Sequence, residues 1–158
     1  MVRLMSKSED KESALHALLD QIESAFANVN PPPTSLCRGI LTQKDFEAAF
    51  MGDELVNTLR HLYDYEADEF HYLTPFLMRG YLAHYGENWV LDDDLSNYLL
   101  KFGHFGDKVD FIRNRYLSFY DRLDIAQRKA ICSFLRFLSE YKMDEGFIDD
   151  EVVQYWCA

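Results

Sequence analysis

The sequence predicts an all-α fold, a single compact domain of six to seven helices over residues 1–158. Apolar residues recur at the i, i+3, i+4, i+7 spacing of an amphipathic helix in several separate segments. Only 7 glycines and 4 prolines interrupt the 158 residues, so long stretches can stay helical. Hydrophobic residues make up 48% of the chain and include 12 Phe and 10 Tyr, which is enough to build a buried core.

The first third of the chain predicts two helices joined by one loop. Residues 1–8 are expected to be disordered, and a helix is expected from about Glu9 to Asn28. A Pro-rich loop at 28–41 contains three consecutive prolines and therefore cannot continue that helix. Thr42 and Asp45 have the spacing of a weak capping box, which predicts the start of the second helix.

The middle of the chain predicts further helices from its capping residues. Asp53 is expected to cap a third helix. Thr74 followed by Pro75 predicts a helix that starts at Thr74 and ends near Gly86, because Thr is a good N-cap and Pro suits the first turn. A short helix is expected to end at Leu100.

The last third contains the clearest helical pattern. A helix is expected from about Asp107 to Tyr120. Asp124 with Gln127 three positions later then predicts the start of a long amphipathic helix. An acidic segment follows, and a closing apolar segment contains Trp156.

Several segments of the chain share their residue spacing with one known family. They are L-x-x-x-I-x-x-A-F-x-x-V from Leu18, Y-L-x-P-x-L from Tyr72, Q-x-x-A-I-x-x-F-L from Gln127, and the closing Y-W at Tyr155. With these segments the chain resembles a bacterial domain family of unknown function, whose members are small and helical. The resemblance implies a bacterial helical protein and no known activity.

The charge of the chain suits a well-solvated surface, which is the simpler interpretation, or attraction to a basic protein partner. Its 27 acidic and 16 basic residues give a net charge of −11. An acidic run with neighbouring tyrosines predicts a partner-binding surface made of Asp64, Tyr65, Glu66, Asp68 and Glu69. We therefore expect a non-enzymatic protein-binding module, of an immunity or adaptor type, for a basic partner.

A metal-dependent enzyme is the alternative. His61, Asp64, Asp68 and His71 are spaced 3, 4 and 3 residues apart, so one continuous helix would place all four on one face. His84 would be an additional ligand. The chain contains no nucleophile signature and no phosphate-binding glycine loop, which makes an enzyme less favoured, and no catalytic residue or cofactor is predicted.

Nucleic acid and membranes are not expected as partners. Residues 101–143 carry nine basic and five acidic residues, but the rest of the chain is strongly acidic and would repel a polyanion. No run approaches the roughly 18 apolar residues that span a bilayer.

The three cysteines, Cys37, Cys132 and Cys157, are too widely spaced to indicate a disulfide framework or a zinc knuckle. Cys132 is expected to fill apolar space in the core, and Cys157 to be mobile. Unpaired cysteines and an N-terminus without a signal-peptide core predict a cytoplasmic protein.

Overall fold

The computed structural model describes residues 7–35, 37–50, 66–87, 117–143 and 150–158. Within these ranges the chain is helical and has no strand, which confirms the predicted all-α class. The helices are α1 (Lys7–Phe26), α2 (Gln43–Phe50), α3 (Ala67–His84), α4 (Ile125–Glu140) and α5 (Asp150–Cys157), and a further helical segment covers 117–122. The helices predicted from Asp53 and up to Leu100, and the beginning of the one predicted from Asp107, lie outside the described residues.

The described helices share one hydrophobic core. Helix α1 packs against α3 and α4, α5 packs against α4, and α2 packs against α3. Leu18, Ile22 and Phe26 are buried at four-residue intervals along α1, so one stripe of that helix faces the core. On α4, the predicted stripe is buried as well, with Ile131 and Leu135 both at 0% exposure.

Helix α3 starts earlier than the sequence predicts. It begins at Ala67, and Thr74 and Pro75 lie inside it. The carboxylate of Glu69 accepts a hydrogen bond from the backbone N–H of Glu66, which fixes the helix start two turns before Thr74. The Thr74 hydroxyl instead donates to the carbonyl of Phe70 over 2.6 Å, so its capping role was predicted wrongly.

Burial explains why α3 tolerates an internal proline. Twelve of its residues are buried, so it is apolar on nearly every side, and it packs between α1 and α2. Packing of this kind outweighs the hydrogen bond that Pro75 cannot donate. The helix ends as predicted near Gly86, which has a φ of 84° and so adopts the left-handed conformation that glycine tolerates.

Two further predicted caps, Thr42 and Asp124, are confirmed, whereas Asp53 lies outside the described residues. The Thr42 hydroxyl accepts from the Asp45 N–H, and the Asp45 carboxylate accepts from the Thr42 N–H, at 3.1 and 3.0 Å. At the start of α4, Asp124 and Gln127 form the same reciprocal pair at 2.8 and 3.1 Å. Each pair satisfies two backbone donors that the first helical turn would otherwise leave open.

The C-terminus of α4 closes with a Schellman motif. The Met143 N–H donates to the Leu138 carbonyl, and the Lys142 N–H to the Ser139 carbonyl. Lys142 therefore takes a φ of 55°, in the left-handed region that costs a side-chain-bearing residue free energy. The Tyr81 hydroxyl of α3 donates to the Met143 carbonyl, which holds this turn against the core.

Candidate functional site

Two cavities open on either side of the Pro-rich loop, and α3 contributes residues to both. The first, here called the loop cleft, has a volume of about 570 Å³. It is lined by Ala25, residues 28–33, Asp68, His71, Arg122, Asp124 and Gln127. The second, here called the arginine pocket, has a volume of about 460 Å³ and contains Arg79.

A buried amide orients the imidazole in the loop cleft. Gln127 Nε2 donates to the Ala25 carbonyl over 3.2 Å, so its Oε1 must point the other way. That oxygen accepts from the Asp124 N–H and lies 2.9 Å from His71 Nε2. Because Oε1 can only accept, Nε2 of His71 carries a proton and donates to it, which leaves Nδ1 as the nitrogen without a protein hydrogen bond among the described residues.

Two carboxylates line the same cleft without forming an ion pair within the described part of the chain. Oδ1 of Asp124 accepts from the Gln127 N–H, and Oδ1 of Asp68 accepts from the Glu69 N–H, both over 2.8 Å. Arg122 also lines the cleft, but it forms no ion pair with either of them. The cleft therefore presents two carboxylates that form no ion pair with a cation of the described residues.

The predicted partner-binding surface is only partly exposed. Glu66 is exposed and Asp68 is half-buried, whereas Asp64 and Tyr65 lie outside the described residues. Glu69 differs from the expectation of an exposed charge, because it is only 3% exposed. Its two oxygens accept from the Glu66 N–H and, over 2.9 Å, from the Thr34 hydroxyl. This carboxylate caps α3 and fastens the Pro-rich loop, so it is not available to a partner.

Two of the four predicted metal ligands lie together. Asp68 and His71 are one turn apart on α3 and line the loop cleft. His61 and Asp64 lie outside the described residues. Across the described ranges, no three His, Cys, Asp or Glu side chains are grouped closely enough to hold a metal ion.

His84, the predicted additional ligand, is engaged elsewhere on the surface. Its Nδ1 lies 2.8 Å from Glu87 and its Nε2 lies 3.0 Å from Glu47 on α2. The hydrogen bond with Glu87 is the main cause that raises the pKa of His84, and Glu47 adds to it against a smaller effect of burial. His84 therefore joins α3 to α2 rather than to the loop cleft.

The arginine pocket holds a cation, Arg79, that makes no ion pair within the described part of the chain. Nε of Arg79 donates to the Pro75 carbonyl over 3.2 Å, and the guanidinium carbon lies 5.1 Å from the centre of the Phe76 ring. Among the described residues, no acceptor bonds the remaining guanidinium N–H groups and no carboxylate forms an ion pair with them. Burial lowers the pKa of Arg79, while the charge of Glu23 raises it, and the group stays cationic at neutral pH.

An unbonded acceptor belongs to the same pocket. Nε2 of Gln43 donates to the Phe76 carbonyl over 3.0 Å, which fixes the orientation of the amide. Its Oε1 is buried and has no hydrogen-bond partner in the residues that the structure describes. A buried acceptor without a donor is unfavourable by about 1–3 kcal/mol, so this oxygen gains from any donor that reaches it.

The cysteines contradict the expectation of unpaired thiols. Cys132 and Cys157 form a disulfide that joins α4 to α5, with their Cα atoms 5.1 Å apart. Cys157 is therefore held on the core and is not mobile, and Cys132 is covalently linked rather than a simple apolar filler. Cys37 is buried and is not part of a disulfide. The prediction of a cytoplasmic location loses the support that unpaired cysteines gave it.

Sequence reasoning did not identify the Arg79 and Gln43 pair or the His71–Gln127 contact. Arg79 did leave a signal, since it is the single charge in the apolar run from Phe76 to Leu82. The contact of His71 with Gln127 spans 56 positions and left no local pattern.

Comparison of the chain with protein-family models, with curated proteins and with solved structures found no match in any of the three. Among the helices of the described residues, none combines the length and the apolar composition that crossing a bilayer requires.

Proposed function

We propose that the chain is a non-enzymatic protein-binding module, of an immunity or adaptor type, whose partner inserts a Lys or Arg side chain into the loop cleft. The observation that carries this proposal is the pair Asp68 and Asp124, two carboxylates of one cavity that form no ion pair with a described residue. A basic side chain placed between them would gain charge-assisted hydrogen bonds from both sides.

The surroundings of the cleft support a macromolecular partner. The net charge of −11 attracts a basic protein and accelerates its association at low salt. Glu66 is exposed at the start of the helix that carries Asp68, so it extends the acidic surface beyond the cleft. Three consecutive prolines form a wall of the cleft, and their restricted backbone reduces the entropy lost when a partner binds.

The double variant Asp68→Asn and Asp124→Asn tests this proposal. Asn is as good an N-cap as Asp, so the start of α4 is preserved while two charges are removed. We expect the captured amount of one basic partner from the native cell to fall strongly at low salt. The control carries Glu12→Gln and Asp20→Asn, two exposed residues of α1 that do not line the cleft.

Equal capture by the cleft variant and the α1 control would contradict the proposal. Capture by the wild-type chain should also weaken as the salt concentration rises, because screening reduces attraction between exposed charges. Nucleic acid is not proposed as a partner, and a salt-sensitive gel shift with single-stranded DNA or RNA would overturn that part.

A metal-dependent enzyme is the second candidate function, favoured by one observation. Asp68 and His71 line the same cavity, and Nδ1 of His71 is the ring nitrogen that no described residue hydrogen-bonds. Such a site would need further ligands, for which His61 and Asp64 are the sequence candidates. Stoichiometric divalent metal in protein purified without a histidine tag, lost in the variant His71→Gln, would favour this function over the first.

The compartment is tested separately. Cytoplasmic location stays a prediction, and a disulfide is more typical of oxidising compartments. Alkylation of free thiols in intact cells, followed by mass measurement, distinguishes a reducing cytoplasm from an oxidising compartment. An unlabelled Cys132–Cys157 pair in the cell would contradict a reducing cytoplasm.

A further inference from the structure

The guanidinium of Arg79 is oriented as in an anion-binding site. Its Nε is used by the Pro75 carbonyl and its face lies against Phe76, which fixes the plane of the group. The remaining N–H groups have no acceptor among the described residues. A planar, oriented guanidinium with paired free donors matches the two oxygens of a carboxylate.

The walls of the arginine pocket favour a ligand that carries an apolar group next to its carboxylate. Phe26, Tyr72, Pro75 and Phe76 line the cavity, and Leu41 lines it too with 69% of its surface exposed. The volume of about 460 Å³ lies within the range of small-ligand sites. The Tyr72 hydroxyl donates to the Ile40 carbonyl, so this ring is held in place before any ligand arrives.

The amide of Gln43 adds a requirement for a donor. Its buried Oε1 has no donor from the described ranges, so a ligand that carries an N–H next to its carboxylate can donate a further hydrogen bond to this oxygen. An N-acylated amino acid and the C-terminal residue of a peptide both carry a carboxylate, an apolar side chain and an N–H in this arrangement.

We propose that the arginine pocket binds an N-acylated apolar amino-acid carboxylate, either as a free molecule or as the C-terminus of a peptide, with Arg79 holding the carboxylate and Gln43 accepting from the adjacent N–H. Glu23 lines the pocket as an exposed carboxylate, and its charge opposes the ligand. This inference concerns a different cavity from the loop cleft and does not rest on the proposed function.

Calorimetric or NMR titration with N-acetylphenylalanine tests the carboxylate directly. Arg79→Gln should weaken binding at least about tenfold, because it removes a charge-assisted bidentate contact. Arg79→Lys keeps the charge without the planar fork and should give an intermediate loss. Lys44→Gln, which removes one exposed positive charge of α2 outside the pocket lining, is the matched control and should change affinity less than about twofold.

Comparison with two related ligands separates the contribution of the carboxylate from that of the N–H. N-acetylphenylalaninamide should bind at least about tenfold more weakly than the acid, and 3-phenylpropanoate, which lacks the N–H, should bind several-fold more weakly. Glu23→Gln should strengthen binding of the acid. A peptide that ends in Phe and competes with N-acetylphenylalanine identifies the peptide source, whereas binding of the free amino-acid derivative alone identifies the small molecule.

The proposal is overturned if the acid and the amide bind equally, if Arg79→Gln binds like the wild-type chain, or if N-acetylphenylalanine does not bind at millimolar concentration. Should Arg79→Gln fail to fold, Arg79→Lys and Glu23→Gln still test the proposal. Arg79→Lys should weaken ligand binding, whereas Glu23→Gln should strengthen it. The loop-cleft variant Asp68→Asn, Asp124→Asn should leave this titration unchanged, so failure of one proposal is distinguishable from failure of the other.

Discussion

His71 on α3 donates from Nε2 to Oε1 of Gln127 on α4 over 2.9 Å, across 56 positions of sequence. The same amide accepts from the Asp124 N–H and donates to the Ala25 carbonyl of α1. One side chain thereby satisfies partners on three helices while it also completes the N-terminal cap of α4. The position of the imidazole in the loop cleft therefore depends on how α1, α3 and α4 are packed.

Gln127→Ala should lower the free energy of unfolding by about 2–3 kcal/mol. Gln127 is 5% exposed, and its removal leaves the Asp124 N–H, the Ala25 carbonyl and the His71 ring without their partner in partly buried surroundings. Urea unfolding measures the change. Ser139→Ala, at an exposed position of the same helix, should change stability by less than about 0.5 kcal/mol. Equal effects of the two variants would contradict the network.

Leu135→Ala should lower the free energy of unfolding by about 2–5 kcal/mol, because Leu135 is 0% exposed and its truncation leaves a cavity. Leu117→Ala removes the same atoms at a position that is 40% exposed and should cost much less. A loss below about 1 kcal/mol at Leu135 would mean that the core face of α4 is assigned wrongly.

Reduction of the Cys132–Cys157 disulfide should lower the free energy of unfolding by about 3 kcal/mol, since the bond closes a loop of 25 positions in the unfolded chain. Urea unfolding with and without dithiothreitol measures the loss, and the variant Cys132→Ser, Cys157→Ser should not respond to the reductant. Thiol titration in denaturant should find one free thiol before reduction and three after. Three free thiols before reduction would contradict the bond.

Lys142→Gly should stabilise the protein by roughly 1 kcal/mol. Lys142 is exposed and occupies a φ of 55°, which glycine adopts without the clash of a Cβ atom. Thermal unfolding measures the gain, and Lys129→Gly, within the exposed face of α4, should instead destabilise by about 1 kcal/mol. Destabilisation at both positions would argue against the Schellman closure.

The stabilising effect of His84 should decline as the pH rises. Its pKa is raised in the folded protein, first by Glu87 and then by Glu47, so folding favours the protonated ring. The full contribution is present below the unfolded-state pKa of about 6.5 and is lost as the pH passes the higher folded-state pKa. The stability difference between wild type and His84→Gln, measured from pH 5.5 to 9 (roughly one pH unit below the unfolded-state value upward), should shrink.

Removing the carboxylate of Glu87 tests whether this residue causes the pH dependence of the His84 contribution. In the background Glu87→Gln, the pH-dependent part of the His84→Gln effect should become smaller, because the largest cause of the raised pKa is gone. The raised pKa of His84 would be contradicted if the stability difference between wild type and His84→Gln grew with pH. Its attribution to Glu87 would be contradicted if Glu87→Gln left that difference unchanged.

Local sequence patterns predicted the helices well where the cause of structure is local. The capping pairs Thr42–Asp45 and Asp124–Gln127 and the buried stripe of α4 follow from neighbours within one or two turns. Thr74 shows the limit of such reasoning. Thr74 followed by Pro75 is a strong local pattern for a helix N-terminus, yet both residues lie inside α3. The cap at Glu66 and the burial of the helix determine where α3 begins.

The candidate sites were less predictable because they form across long sequence separations. Asp68 and His71 were identified from their spacing on one helix, and both line the loop cleft. Asp124, Gln127 and the Pro-rich loop reach that cleft only through tertiary packing. The Cys132–Cys157 pair likewise depends on how α5 docks on α4, which the spacing of the cysteines does not indicate.

The short α2 has a consequence for access to the arginine pocket. Its eight residues pack on the longer, buried α3, and a short helix at the surface of a fold opens at a lower free energy than a buried one. Gln43, the first residue of α2, lies in the pocket wall. Local opening of this helix would therefore uncover the pocket, and it would also withdraw Phe46 from its contact with Phe76 in the core. In native-state hydrogen exchange, the amides of α2 should exchange well before those of α3, and a pocket ligand should slow the α2 amides selectively.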